Sequence, residues 1–295
     1  MLWVAFTLIA AAAQTARNAM QRELTATLGT VGATHVRFLF GFPFALFVFL
    51  PGVTYFTGQS LPDPPGVFGF WVLAGALTQI GATATMLSVM GERSFVVAYA
   101  YIKTEPVQVA LFGLVFLGDR IGWMSGAAVL IATIGVIVVS LKPGASQVST
   151  TRSTVIGILS GSLFALSAIG YRGAILSLDG SNFIMVATFT LAVGLVIQAA
   201  LLTVWLALRD AKVLTAIAKA WRPSLLAGFM GAFASEFWFL AFAIASAANV
   251  RTLALVEVLF AQGVAKFVFK QPTTMREGLG IVLVVIGVAV LVWAH

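Results

Sequence analysis

Residues 104–139 read TEPVQVALFGLVFLGDRIGWMSGAAVLIATIGVIVV, and a shift of 152 residues lays them on 256–291, VEVLFAQGVAKFVFKQPTTMREGLGIVLVVIGVAVL. Glu105 then falls on Glu257, Gly126 on Gly278, and Gly135 on Gly287, where TIGV lies over VIGV. With one further residue of offset, LAG at 73–75 meets LAG at 226–228. Matches in the same order at nearly one spacing point to a duplication. Working outward from this pair, apolar runs long enough to cross a bilayer lie near 2–21, 30–50, 67–90, 94–117, 121–141, 154–177, 183–207, 223–246, 251–269 and 277–294. The runs are continuous, carry scattered glycine and lack period-two alternation, so they predict helices and not a barrel. The expected fold is an all-α polytopic membrane protein with ten transmembrane helices in two five-helix repeats, 1–142 and 154–295, joined by a linker at 143–153. Five is odd, so the second copy enters the membrane the other way round. Inverted repeats of this kind are typical of secondary transporters, with the substrate site near the midplane between the halves.

Composition agrees. The chain is 60% hydrophobic and 9% charged with mean hydropathy +1.04, whereas soluble proteins carry about 25% charged residues. A water-soluble enzyme is excluded, and at about 21 residues per span ten spans leave no room for a soluble domain. The absence of cysteine removes disulfides, thiolate metal sites and a Cys nucleophile. The two histidines, His35 and His295, do not make a zinc site, so neither metal nor cofactor is expected. A net charge of +7 suggests nucleic acid until its distribution is read. Ten bases (Arg22, Arg93, Lys142, Arg152, Arg209, Lys212, Lys219, Arg222, Lys270, Arg276) fall in odd-numbered loops, while Arg120 and Arg251 are assigned to even-numbered ones. That is the positive-inside pattern of a cell inner-membrane protein with both termini periplasmic, and no basic face is left for nucleic acid. The stretch 51–66, PGVTYFTGQSLPDPPG, is read as a stiff outside loop, and MLWVAFTLIAAAAQ, which lacks a basic n-region, as the first span.

The 104–139 stretch resembles the end of an EamA-type repeat: a Pro-bearing helix, an LGDRI turn similar to that family's Leu-Gly-Glu-Arg pattern, and a Gly-spaced closing helix. Ten spans in two such repeats is the architecture of the drug/metabolite transporter superfamily. The resemblance implies export of amino acids, other small metabolites or drugs. The second copy departs from the pattern, with Val258 where Pro106 stands and Phe269, Lys270, Gln271 and Pro272 in place of the LGDR turn.

A charge at the bilayer centre costs about 2.5–3.5 kcal/mol, so each one inside a span asks for a reason. Arg17, Arg37 and Lys266 lie near a cytoplasmic end and Arg172 near an outside end, where snorkelling accounts for them. Lys103, Glu105, Glu236 and Glu257 lie deeper. Tyr101, Glu105, Gln108 and Phe112 share one helical stripe suited to a cavity, while Lys103 points to the opposite side and is expected to pair with an acid on a neighbouring span. Gln14, Arg17 or Asn18, and Gln21 make a second polar stripe, read equally as helix-helix hydrogen bonding or pocket lining. Glu236, between Phe233, Phe237, Trp238 and Phe239, is a candidate for proton exchange. The candidate substrate-binding set is therefore Gln14, Asn18, Gln79, Tyr99, Tyr101, Lys103, Glu105, Gln108, Glu236, Trp238 and Glu257, with Pro106 as the hinge.

Two functional classes remain. A secondary transporter fits the repeat; an integral membrane enzyme lacks HExxH, GxSxG or clustered catalytic His, and Walker A is missing too. Tyr99, Tyr101, Phe112, Met86, Met90 and Trp238 offer adaptable apolar contact, and Lys103 with the glutamates offers partners for a carboxylate and an ammonium. That combination suits aromatic and large apolar amino acids, with lipophilic cationic drugs as the alternative. The expected partners are a small-molecule substrate, the lipid bilayer and, as a candidate coupling ion, the proton. A monomer suffices to enclose a pocket.

Overall fold

In lipid every backbone amide must find its partner within the protein, and the long apolar runs answer this by folding as helices. The structure, a computed structural model, describes residues 1–89, 100–140, 151–179, 182–260, 262 and 274–294. Its principal helices are α1 (Leu2–Leu39), α2 (Leu50–Thr57), α3 (Gly66–Val89), α4 (Glu105–Phe112), α5 (Trp123–Ser140), α6 (Thr151–Leu176), α7 (Phe183–Arg209), α8 (Ala211–Lys219), α9 (Trp221–Ile244), α10 (Ala247–Leu253) and α11 (Met275–Trp293). Among the described residues there is no strand, and eight helical stretches are long and apolar enough to cross a membrane.

The first of the eight, Leu2–Thr57, has 56 residues. As one rod it would measure about 84 Å against a hydrocarbon core of about 30 Å. It is not one rod. Gly29 leaves the helical region at φ 69°, ψ 175°, and the Gln21 amide donates to the Ala33 carbonyl at 3.0 Å. A straight helix would hold those residues about 18 Å apart, so the chain doubles back at Gly29, the position where a residue without Cβ tolerates positive φ.

Loop contacts show how the crossings alternate. At one end, α8 packs beside the Gly29 turn, where a Cβ on Gly32 would sit 3.0 Å from Val213; Arg209, Lys212, Lys219 and Arg222 flank this end. At the other end, Gln59 accepts from the Asn182 amide at 2.9 Å, and Arg172 pairs with Asp119 at 3.4 Å while donating to the carbonyls of Phe242 (2.6 Å) and Ala245.

Small residues let the helices touch. A Cβ on Gly170 of α6 would meet Gly75 of α3 at 2.6 Å, one on Gly228 of α9 would meet Phe40 at 2.4 Å, and one on Gly135 of α5 would meet Val284 of α11 at 2.7 Å.

Several sequence boundaries are corrected. The loop expected at 51–66 shrinks to 58–65, because helix continues through Pro51 to Thr57. A π-helical stretch, Ala45–Phe49, precedes Pro51, and its wider turn accommodates the ring and the missing amide. The span expected from 251 starts at Ala247, where the Ser246 hydroxyl caps the Asn249 amide at 3.3 Å. Arg251 is therefore a helix residue and not a loop base. The helix expected from 154 starts at Thr151. Most of the 143–153 linker, Lys266 and the second-copy turn at 269–272 lie outside the described residues.

Candidate functional site

The site starts from two interruptions. In the fourth span the helix breaks at Lys103–Thr104, and α4 restarts with Glu105 and Pro106 in its first turn. Pro106 has no amide to bond the carbonyl of residue 102, and Thr104 Oγ1 turns back to the Tyr101 carbonyl at 2.7 Å. At the position that the 152-residue shift lays on this break, α10 tightens into a 3₁₀ turn, Ala254–Val256, just before Glu257. Valine stands there instead of proline, so a proline is not what this second break requires.

The two glutamates so presented are cross-paired. Glu105 meets Arg251 at 3.0 Å, and Glu257 meets Lys103. Each pair joins the first half of the chain to the second, and all four side chains are at most 13% exposed. Lys103 does find an acid on a neighbouring span, as its position opposite Glu105 predicted. Arg251 also lies over the Trp238 ring, 4.7 Å from its centroid, and 5.5 Å from that of Phe242, contacts that favour a guanidinium.

From Trp238 the network opens into a small central cavity. The indole N–H donates to Gln14 at 3.1 Å. The wall is Gln14, Arg37, Gln79, Phe164, Ser167, Ala168, Tyr171, Ser235, Trp238, Phe239, Phe242 and Arg251. Gln14 lies about 18 Å along its helix and Gln79 about 20 Å along α3, near the middle of a core of about 30 Å. Gln79 accepts from Gln198 at 2.9 Å and from the Tyr171 hydroxyl at 3.4 Å. The Arg37 guanidinium donates to Thr83 and Ser235, both at 3.3 Å. The cavity holds about 10 Å³, room for about one water. Larger crevices of about 260 and 400 Å³ have walls that are almost wholly apolar, and the larger includes Leu77, Leu201 and Trp205, three side chains that face outward. Their chemistry suits acyl chains, and the polar central cavity is the better candidate site.

Residues 1–141 match the EamA-like transporter family, a branch of the drug/metabolite transporter superfamily. The matched residues, just under half of the chain, are similar to that family. The resemblance read from 104–139 is thereby supported. No curated protein sequence matches the chain. Among 28 matching chains of solved structures, one crystal structure aligns over 98% of this chain and 96% of its own with a TM-score of 0.67 and 16% identity; the likeness is one of fold.

The matched stretch contributes Gln14, Arg37 and Gln79 to the wall, and the rest of the chain contributes Trp238 and Arg251. Of the sequence candidates, Gln14, Gln79 and Trp238 are thus brought together, and Glu105 reaches the wall through Arg251. Asn18 accepts from Arg17 at 2.7 Å. Gln108 donates to Thr104 at 3.0 Å, and Tyr101 is half-buried. Glu236 is turned toward α7, where it accepts from Thr188 at 2.5 Å, and is not part of the wall. Tyr99 and Met90 lie outside the described residues.

Three snorkelling assignments are overturned. Arg17 and Arg37 are 1% and 2% exposed, and Arg37 lines the cavity; distance along the helix placed them near a membrane face, but neighbouring helices enclose them. Arg172 instead ties Asp119 to carbonyls at the end of α9. The sequence reading missed Arg37 and Arg251 as wall residues. Two signals pointed to Arg251: a Ser246 cap that moves it into a helix, and a deep Glu105 in need of a cation.

Proposed function

We propose that the protein is a secondary transporter that exports a small organic metabolite by alternating access about the central cavity, its ten spans forming two inverted five-helix repeats. The observation that carries this reading is the cavity itself: both halves supply its polar and aromatic wall near mid-membrane, and two cross-paired ion pairs join the halves beside it. Packing supports the inverted repeat, because α3 against α6 and the first arm of α1 against α9 are the contacts that a five-span shift exchanges. The reversal at Gly29 supplies one crossing beyond the eight long stretches, and α10 starts another.

Export, an inner-membrane location, periplasmic termini, a monomeric unit and proton coupling through a buried acid such as Glu236 belong to the same reading. The wall suits a solute with a carboxylate for Arg37 and an apolar body for Trp238, Phe239 and Phe242, amino acids with aromatic or large apolar side chains among them. Lipophilic cations are the second reading, and the outward-facing apolar crevices favour it. Counterflow in proteoliposomes tests both: saturable exchange of labelled phenylalanine, tryptophan or methionine is expected. Exchange of a lipophilic cation and none of the amino acids transfers the assignment to drugs, and linear flux of everything removes the transporter reading.

A further inference from the structure

The ion pairs leave part of the interior charge unaccounted for. Around the cavity stand four cations, Arg17, Arg37, Lys103 and Arg251, and two acids, Glu105 and Glu257, each already facing a cation. Glu236 is turned away to Thr188. Arg17 and Arg37 therefore form a surplus. Both side chains cross the bare surface of Gly231, where a Cβ would lie 3.1 Å from Arg37 Cγ and 3.5 Å from Arg17 Cδ. Arg17 donates to Asn18, and its Nε and Nη1 have no hydrogen-bond partner among the described residues. Arg37 reaches two neutral hydroxyls and leaves Nε unbonded. Neither has a carboxylate partner among the described residues. Two adjacent guanidiniums repel each other and pay heavily for lost hydration, so their retention beside a cavity calls for an anion that comes and goes.

We propose that Arg17 and Arg37 form an anion-recognition site and that the transported solute is an aromatic or apolar organic acid with net negative charge. This deepens the transport reading and rests on it. The guanidinium fork matches a carboxylate in two parallel bonds, Arg37 lines the cavity directly, and Arg17 stands behind it as the second positive charge. The rings of Phe164, Trp238, Phe239 and Phe242 receive the body of the solute. An ammonium group finds no free acid in the wall, so a zwitterion binds more weakly than the matching acid and a cation more weakly still.

Four probes of one shape separate these charges: phenylacetate, phenylacetamide, phenethylamine and phenylalanine, added to the purified full chain at equal ionic strength. Thermal midpoints and counterflow of labelled phenylacetate are read in parallel. Phenylacetate is expected to raise the midpoint most and phenethylamine least. Arg37→Gln and Arg17→Gln should each weaken phenylacetate about tenfold to a hundredfold, the range of a charge-assisted bond, and Arg37→Lys should fall between. Should Arg37→Gln fail to fold, Arg17→Gln and Arg37→Lys decide. Binding of the amide or amine as well as the acid, failure of phenylacetate to bind, or unchanged affinity in folded variants overturns the anion site. Binding of phenylacetate without saturable counterflow of any probe leaves the site standing and removes the transport reading. Counterflow of the amine without the acid does the reverse.

Discussion

Replacing Gly170 by alanine is the sharpest test of how the halves are joined. Its new Cβ would lie 2.6 Å from the Gly75 nitrogen, 2.8 Å from the Gly75 Cα and 3.1 Å from the Trp71 carbonyl. Two of these atoms belong to the facing glycine's own backbone, and none is the far end of a flexible side chain, so no rotamer change relieves the clash. Restoring ordinary contact at about 3.4 Å requires α3 and α6 to separate by about 0.8 Å, and a gap of that size forfeits roughly a quarter to a half of each dispersion well across the seam. Overpacking of this kind costs about 1–3 kcal/mol. At about 2–4 °C per kcal/mol, the thermal midpoint should fall by roughly 2–12 °C. Gly69, on the same α3, has nothing within 4 Å of its would-be Cβ, and Gly69→Ala should be neutral or stabilise by up to about 1 kcal/mol. The assay is thermal unfolding of purified protein followed by size-exclusion recovery. Equal midpoints for Gly170→Ala and Gly69→Ala would refute the close crossing.

Further tests address charge, topology and the hinge. Glu105→Gln should destabilise by about 3–5 kcal/mol, as breaking a buried pair does, and Arg251→Gln on top should recover most of the loss; purely additive losses in the double-mutant cycle would show the two uncoupled. Single cysteines at Ser60 and Thr215, both exposed, should differ in intact cells: the first reacts with an impermeant thiol reagent and the second does not, and the opposite result inverts the topology. Pro106→Ala should change stability by no more than about 1 kcal/mol, since the matching break in α10 forms beside valine; a loss above about 3 kcal/mol would mean that the proline alone shapes α4.

Much of this architecture was legible because hydropathy reports which segments avoid water, and a duplicated pattern reports that two segments share a role. Glu105 and Glu257 were found this way, and so was the need of Lys103 for an acid on another helix. What failed was depth. Arg17 and Arg37 were placed by their distance along one helix, whereas burial depends on which neighbours crowd around: Gly231 of α9 supplies the flat surface on which both lie. Arg251 was read as a loop base because apolarity alone does not locate a helix start, while a serine cap does. The proline-rich 51–66 stretch misled for a related reason, since a π-turn lets helix run through Pro51.

The tightness of the central cavity has a meaning for the cell as a whole. A space of about 10 Å³ admits one water at most, far less than any organic acid. In this conformation the cavity has to widen before a solute of that size can enter. Under the proposed transport reading each opening of the site has to be made by the solute itself, so passage across the membrane would follow solute occupancy.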